Sequence, residues 1–324
     1  ASFGAALLYF TGSKAHNIEL RELAKKRGLK INEYGIFNIN SGRRVAGKDE
    51  ESIYDKIKLE WIPPELREAH GEVEAARAGK LPNLVGAKDI RGDLHVHSNW
   101  SDGANSIEEM ALAAKQLGYE YLVITDHSRS LRIAGGLSEK DLGRQVKEIN
   151  KVNKKIKSLR VLAGSEVDIL DDSSLDFPKA VLKRLDFVVA AIHSGFKQSS
   201  DKLTTRICRA METGLVHTLA HPTGRLLGQR ESYQVDFDRI FKVARETDTA
   251  LEINAFPSRL DLEDALVRRA AENGVLLSIG TDSHKRENLA FMEYGLSVAR
   301  RGWCRKRDLL NTLSLSQLME RLKR

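Results

Sequence analysis

From Gly92 onward, short runs of apolar and β-branched residues alternate with longer stretches whose apolar positions recur at helical spacing. The short runs are 92–97, Tyr121 to Thr125, Val161 to Glu166, Phe187 to His193, Val216 to His221, Ala250 to Asn254 and Leu276 to Asp282. Helical patterns cover 106–118, 139–157, 201–213, 236–246, 261–273 and 287–300. Ser106 with Glu109 has capping-box spacing, and Ser138 is placed to cap 139–157. Strict strand–helix alternation predicts parallel strands joined by crossover helices. Seven such units predict an α/β fold closed into a barrel, with an open doubly wound sheet as the alternative.

The first ninety residues follow another rhythm. Ala1 to Phe10 is apolar and reads as strand or helix; Thr11-Gly12-Ser13 is a turn, and Ile18 to Lys26 has helical spacing at Ile18, Leu20, Leu23 and Ala24. A Gly-Ser turn opening a helix offers main-chain N–H groups to an anion. Glu65 to Gly79 reads as a charged helix with a narrow stripe of Leu66, Ala69, Val73 and Ala76. Periodicity is then lost through Lys80-Leu81-Pro82-Asn83, which marks a linker. The expected division is a small α+β unit over 1–80, a linker over 81–91 and a second domain over 92–324.

Composition adds bounds. With 324 residues, 41% of them apolar, the chain has material for one large domain and a smaller one. Two cysteines, Cys208 and Cys304, are too few for a disulfide framework and match no zinc spacing, which points to core packing in a reducing cytoplasm. No apolar run reaches the roughly 18 residues of a membrane span, so a soluble protein without membrane contact is expected. Net charge is +7, but residues 300–324 hold eight Lys/Arg against two Asp/Glu, so the remainder is nearly neutral and the tail is a basic segment able to attract a polyanion.

The candidate chemistry lies at strand ends. Asp93-Leu94-His95-Val96-His97 ends a strand with two histidines one residue apart, and strand alternation points both to one side. Asp102 follows in a Ser-Asp-Gly turn. His127, Glu166, His193 and His221 end the next four strands, and Asp282-Ser283-His284 ends the seventh in mirror image of the first. Six of nine histidines thus sit at strand C-termini, which a parallel barrel gathers on one face. Nine potential ligands there suit three sites of three or four N/O donors for Zn, Mn or Fe. Asp126 is expected to orient His127. Glu252 and Asn254 lack a metal-type partner and take hydrogen-bonding roles; His16 and His70 lie on charged helical stretches, and His217 is a core or supporting group.

Two resemblances follow. Tyr9-Phe10-Thr11-Gly12-Ser13 with Asn17 resembles the nucleotide-selecting motif of family X DNA polymerases, and Ile31 to Phe37 and Glu60 to Arg67 resemble the thumb that follows it in bacterial and archaeal members. The resemblance implies that Tyr9, Phe10 and Gly12 border the incoming sugar, Ser13 neighbours the triphosphate and Asn17 touches the base edge. Lys14 departs from the acidic residue some members carry. That family polymerises with aspartates preceding this motif, and no Asp occurs here before Asp49, so a C-terminal piece that does not itself polymerise DNA, partnered by an N-terminal polymerase core, is the expectation.

The series His-x-His, Ser-Asp-Gly, Asp-His, Ser-Glu, Ile-His-Ser, Ala-His-Pro, Asp-Ser-His resembles the polymerase and histidinol phosphatase (PHP) domain. This implies a distorted seven-stranded TIM-like barrel whose nine ligands, His95, His97, Asp102, His127, Glu166, His193, His221, Asp282 and His284, share three divalent ions, with Glu166 bridging two. Ser98-Asn99-Trp100 replaces the threonine often found after the second histidine. His95, His97, Glu166 and Asp282 are expected to surround the catalytic ions. Arg129, Arg132, Lys197 and Arg225 sit on loops after ligand-bearing strands and are candidates to neutralise phosphates. The implied activity is Mn-favouring 3′–5′ exonucleolysis of DNA at 3′ ends, gapped or single-stranded, with abasic-site and 3′-phosphatase activities in base-excision repair. Alternatives are a histidinol-phosphatase-type small-molecule phosphatase and a non-catalytic module bracing a polymerase.

Overall fold

The computed structural model describes Ser2–Lys323; Ala1 and Arg324, ends of two of the patterns above, lie outside the described residues. The chain divides into two compact units, residues 1–83 and 84–324.

In the first unit, helices α1 (Phe3–Thr11) and α2 (Lys14–Lys25) precede an antiparallel sheet β1 (Leu29–Asn32), β2 (Gly35–Asn38), β3 (Arg44–Ala46), followed by α3 (Glu50–Ile57) and α4 (Glu72–Arg77). The apolar start is therefore helical. Ser13 caps α2 by accepting from His16 N–H at 3.1 Å. The helix expected over 65–79 is broken: Ala69 and Gly71 are left-handed, and only Glu72–Arg77 is α-helical. The cause is tertiary. The buried Glu72 carboxylate accepts from the main-chain N–H groups of Ala69 and His70 at 2.8 and 2.7 Å and pairs with buried His16 at 2.6 Å. His16 is thus a core group, not one on a solvated face. Beside it the buried Arg67 guanidinium binds Glu50 bidentately at 2.7 and 2.9 Å.

The second unit holds seven parallel strands, β4 (Gly92–Val96), β5 (Tyr121–Ile124), β6 (Arg160–Asp168), β7 (Phe187–Ala191), β8 (Thr218–Leu219), β9 (Ala250–Asn254) and β10 (Leu277–Gly280), in sequential order. The intervening helices are α5 (Ile107–Gln116), α6 (Glu139–Lys155), α7 (Lys179–Leu182), α8 (Ser200–Glu212), α9 (Phe237–Glu246), α10 (Asp264–Glu272) and α11 (Met292–Arg301), with α12 (Leu315–Arg321) last. Every residue of β4, β5, β7, β9 and β10 is buried, as strands covered on both faces require. Ser106 and Glu109 form the anticipated capping box. Two helices differ from their patterns. The one expected from 261 begins at Asp264, because Asp261 pairs with Asn254 as an extension of β9. The one expected from 287 opens as a 3-10 turn over Arg286–Phe291.

Residues 84–91, within the segment expected to be a linker, are ordered on the second unit: Val85 is buried and donates to Cys304 O at 3.0 Å. The basic tail is largely neutralised in place, since Arg301 pairs with Asp264, Arg305 with Asp308, Lys306 with Asp89 and Arg321 with Asp248.

A small inner core of Leu94, Tyr121, Leu162, Phe187, Ala250, Leu310 and Leu318 fills the barrel's lower half. Leu310 and Leu318 cluster with residues at strand starts, so the C-terminal segment plugs that end and the strand C-termini remain as the open face. The seam between β10 and β4 makes no continuous ladder. Near the open face, Asp282 N–H donates to His95 O and His97 N–H to Ser283 O, both at 2.9 Å. Asp93 receives the Thr281 N–H and hydroxyl at 3.1 and 2.5 Å. Lower down, the buried Asn311 side chain accepts from Ile279 N–H at 2.6 Å and donates to Gly92 O and Ile279 O at 2.9 and 2.8 Å. Asn311→Leu leaves these seam groups unpaired, and a loss of about 2–3 kcal/mol is expected. Urea unfolding followed by circular dichroism measures it, and an unchanged midpoint contradicts the seam role.

Candidate metal centre

The open face gathers the nine candidate ligands in one pocket, because seven parallel strands end there and β-alternation turns alternate side chains inward. Glu166, on β6, is its centre. Its Oε2 lies 2.9 Å from His127 Nδ1, 3.4 Å from His95 Nε2 and 3.6 Å from His97 Nε2; Oε1 lies 2.8 Å from His221 Nε2 and 3.3 Å from His193 Nε2. His97 Nε2 is also 3.1 Å from Asp282 Oδ1 and 3.2 Å from His95 Nε2. Asp102 reaches His284 at 3.3 Å and His127 at 3.6 Å. Asp102 and His284 are the most exposed of the nine, at 33% and 30%, and mark the mouth.

These separations suit a shared cation. N/O ligands about 2.0–2.2 Å from one ion sit roughly 3–3.6 Å apart. Nδ1 of His97, His127 and His221 are buried without a hydrogen-bond partner. The short His127–Glu166 contact is among them, so the atoms face each other without hydrogen-bond alignment. Buried polar atoms rarely stay unpaired. Three groups of donors, His97/Asp102/His127/His284, His95/His97/Asp282 and His127/Glu166/His193, have ligand atoms close enough to hold an ion.

The surrounding charges set protonation. Burial disfavours the charged form of every histidine here. At His95 the carboxylates of Glu252, Glu166 and Asp282 outweigh it and hold the ring protonated well above the ordinary range. Likewise, against burial, Glu166 and Asp102 raise His127 to about 10, and Glu166 and Asp168 raise His193 to about 9. Burial prevails at His97, lowered to about 4 with neighbouring His127, and at His221, lowered to about 3 with Arg259 nearby. Glu166 and Asp282 stay ionised despite burial because histidines surround them.

A supporting layer holds the ligands. Glu252 Oε1 lies 2.7 Å from His95 Nδ1 and its Oε2 accepts from His221 N–H at 2.8 Å, so one carboxylate orients ligands from two strands. A Cβ at Gly280 would stand 2.2 Å from Glu252 Oε1, so that position must be glycine. Asp168 lies 2.5 Å from His193 Nδ1, and Asn254 donates to Asp282 at 3.1 Å. Asp126 does not orient His127. Its carboxylate accepts from Ser98 N–H, Ser98 and Ser101 hydroxyls and Gln145, and so shapes the loop that carries Asp102. His217 is away from the pocket: its Nδ1 accepts from Val188 N–H at 2.9 Å and its ring stacks on Phe187.

The expected phosphate-binding cations divide. Arg132 and Lys197 are exposed, and Arg129 is about half-exposed but paired with Asp176 at 3.3 Å. Arg225 is a loop brace, donating to Arg259 O at 2.9 Å, to Leu260 O and to Glu263 at 2.8 Å. The loop it braces delivers Arg259, which no local pattern marked. Arg259 Nε lies 3.3 Å from Asp282 Oδ2, and its Nη1 is buried without a partner.

In the first unit, Tyr9 and Phe10 meet edge to face at the end of α1, with Phe10 76% exposed. Asn17 directs its amide to the carbonyls of Tyr9, Gly12 and Ser13 at 3.1–3.2 Å, and so fixes the turn that carries them.

Known proteins fit this geometry. Residues 93–256, about half the chain, match the family described as PHP domain. The chain belongs to that family. Asp282 and His284 lie beyond the matched stretch, yet the PHP fold returns them to the His95–His97 pair. Residues 6–68 match the DNA polymerase beta thumb. A relative named DNA polymerase/3'-5' exonuclease PolX from Bacillus subtilis (strain 168) is 44% identical over 322 residues, 99% of this chain and 56% of that protein. The chain thus spans little more than half of that relative's length. A "probable phosphatase" from Thermoanaerobacter sp. (strain X514) is 28% identical over 71% of this chain and 94% of its own. A crystal structure assigned as a histidinol phosphatase from Listeria monocytogenes shares the fold at TM-score 0.51 and 20% identity, covering 61% of this chain and 97% of its own.

His127 and His193 must shed protons held up to about 10 and about 9 before they bind a cation. Loading the PHP pocket with Mn at pH 7 should therefore release protons, and affinity should rise with pH until those values are passed. Titration calorimetry in two buffers of different ionisation enthalpy checks this, and equal heats contradict it.

Proposed function

We propose that the PHP domain of this chain hydrolyses phosphodiester bonds of DNA from 3′ ends with the aid of three divalent cations. The observation that carries this reading is the gathering of nine N/O donors around the Glu166 carboxylate and the histidines it contacts, beside the Arg259 guanidinium, whose Nη1 is buried and unpaired. His95, His97, Glu166 and Asp282 would hold one ion, Glu166, His193 and His221 a second, and Asp102, His127 and His284 a third. When bound, such ions supply Lewis-acid polarisation of phosphoryl oxygens and acidify coordinated water.

The chain's own residues do the rest. Glu166 offers one oxygen to each of two ligand sets, which couples their positions. Glu252 and Asp168 keep the His95 and His193 rings aligned, so no reorganisation is needed when substrate arrives. Arg259, free at Nη1, is placed to bind a non-bridging phosphate oxygen. The open side at Asp102 and His284 admits a chain end. The relative's printed 3'-5' exonuclease name, together with the polymerase-type thumb match, supports DNA as substrate, and Mn as the favoured metal is part of this reading. By the same reading Tyr9, Phe10, Gly12, Ser13 and Asn17 would border a nucleotide when a polymerase core is joined to this unit, and the setting is the bacterial cytoplasm.

A second reading, a small-molecule phosphatase, is favoured by the "probable phosphatase" that matches 71% of this chain over 94% of its own length. Mn added to the chain with a 3′-labelled single strand, and separately with histidinol phosphate, distinguishes them. Cleavage of the strand only, lost in His95→Ala/His97→Ala, is the expected result; turnover of histidinol phosphate only overturns the DNA reading, and turnover of neither overturns hydrolysis. Arg259→Ala should slow the strand reaction on the order of a hundredfold. Arg259→Lys should restore part of it, because an ammonium keeps the charge without the planar fork; an unaffected rate in Arg259→Ala excludes the phosphate role.

A further inference from the structure

One helix beside the pocket carries charge that the pocket does not use. Along α6, Lys140, Arg144, Lys147, Lys151 and Lys154 follow at spacings of four, three, four and three residues, and all five are exposed. At 3.6 residues per turn they fall within about 40° of one line, a ridge about 21 Å long. The opposite face, Leu142, Gln145, Ile149 and Val152, is buried. Among the described residues Lys140, Lys147, Lys151 and Lys154 have no ion pair, and Arg144 has only Asp141 at 3.1 Å. Five cations held in line repel one another, a cost that an extended polyanion removes.

The ridge begins beside the loop that carries Asp102. Gln145 donates to Asp126 at 2.5 Å, and Asp126 holds the Ser98–Ser101 loop that leads into Asp102. On the same loop Trp100 donates from its indole N–H to Glu148 at 3.1 Å, and the Arg144 guanidinium lies 5.5 Å from its ring centre. The helix starts at the open face, where Arg129 approaches Glu139 at 3.8 Å, and runs away from it.

We propose that this face of α6 is the track for the phosphodiester backbone of a single DNA strand whose 3′ end lies in the metal pocket. The inference rests on the DNA reading for the identity of the occupant. The ridge would accommodate on the order of four nucleotides, the low end of site sizes for single-strand grooves. Arg144 with Trp100 sits where the first base outside the pocket would stack.

The test is binding of a fluorescent twelve-residue oligothymidylate to the whole chain by anisotropy across a salt series, without added metal. In Lys147→Gln/Lys151→Gln/Lys154→Gln the log–log salt slope should become shallower by about 2, since each phosphate contact on a single strand contributes about 0.7. At low salt Kd should rise at least about tenfold. A control with Lys115→Gln/Lys179→Gln/Lys242→Gln, exposed and of equal net charge, should keep the wild-type slope. Equal losses in both variants, an unchanged slope in the first, or no binding by wild type each overturn the track. With Mn, the first variant should show a raised KM for the twelve-mer and unchanged hydrolysis of a dinucleotide. Absence of cleavage by wild type, with the salt-slope difference intact, sinks the exonuclease reading and leaves the ridge standing; normal cleavage with no slope difference does the reverse.

Discussion

A carboxylate buried to 1% exposure at the heart of a barrel is affordable only if opposite charge surrounds it, and Glu166 meets that condition with five imidazoles from four strand ends. The constraint is mutual. Without Glu166, three protonated histidines would repel one another in a dry pocket, and without the histidines Glu166 would be forced to take up a proton. The second unit is arranged so that strand ends deliver the participants, His95 and His97 together from β4 and the others one to a strand, with the carboxylate on the longest strand, β6, paired on both sides within the sheet.

The supporting layer explains why the scaffold must be closed. Glu252 spans from His95 on β4 to the main chain of His221 beyond β8, and Asp93 ties β4 to Thr281 beyond β10. Those links cross the seam where the sheet makes no continuous ladder, and Asn311 from the C-terminal segment completes it below. Stability at the plugged end and geometry at the open end are therefore coupled through one seam. This division matches the general separation, in parallel barrels, of a stabilising lower face from a reactive upper one.

The candidate ligands were legible because two signals coincide: apolar runs of strand length, and a metal-type residue at the C-terminal end of six of the seven. The first unit was less legible. Nothing near Glu72 announces that its carboxylate turns back to Ala69 and His70 and inward to His16, fifty-six residues earlier, so an unbroken helix was the natural expectation. Arg225 and Arg259 traded roles for the same reason. Both are loop arginines near ligand strands, and only the fold makes one of them a brace on carbonyls and leaves the other with an unpaired N–H beside Asp282.

By itself the sequence determined the strand–helix alternation, the parallel run of the strands and the nine candidate residues at and after their ends, because each depends on local periodicity and on side-chain chemistry; closure into a barrel was decided by the fold. Which oxygen of Glu166 faces which imidazole, that Asp126 shapes a loop while Asp168 and Glu252 orient rings, and that the cationic line of α6 starts beside the loop carrying Asp102 were decided only by tertiary structure. The physical reason is distance along the chain. Hydrogen bonds between His95 and Glu252, or Asp93 and Thr281, join residues more than 150 positions apart, and no local pattern encodes the direction in which a side chain meets a partner delivered by another strand.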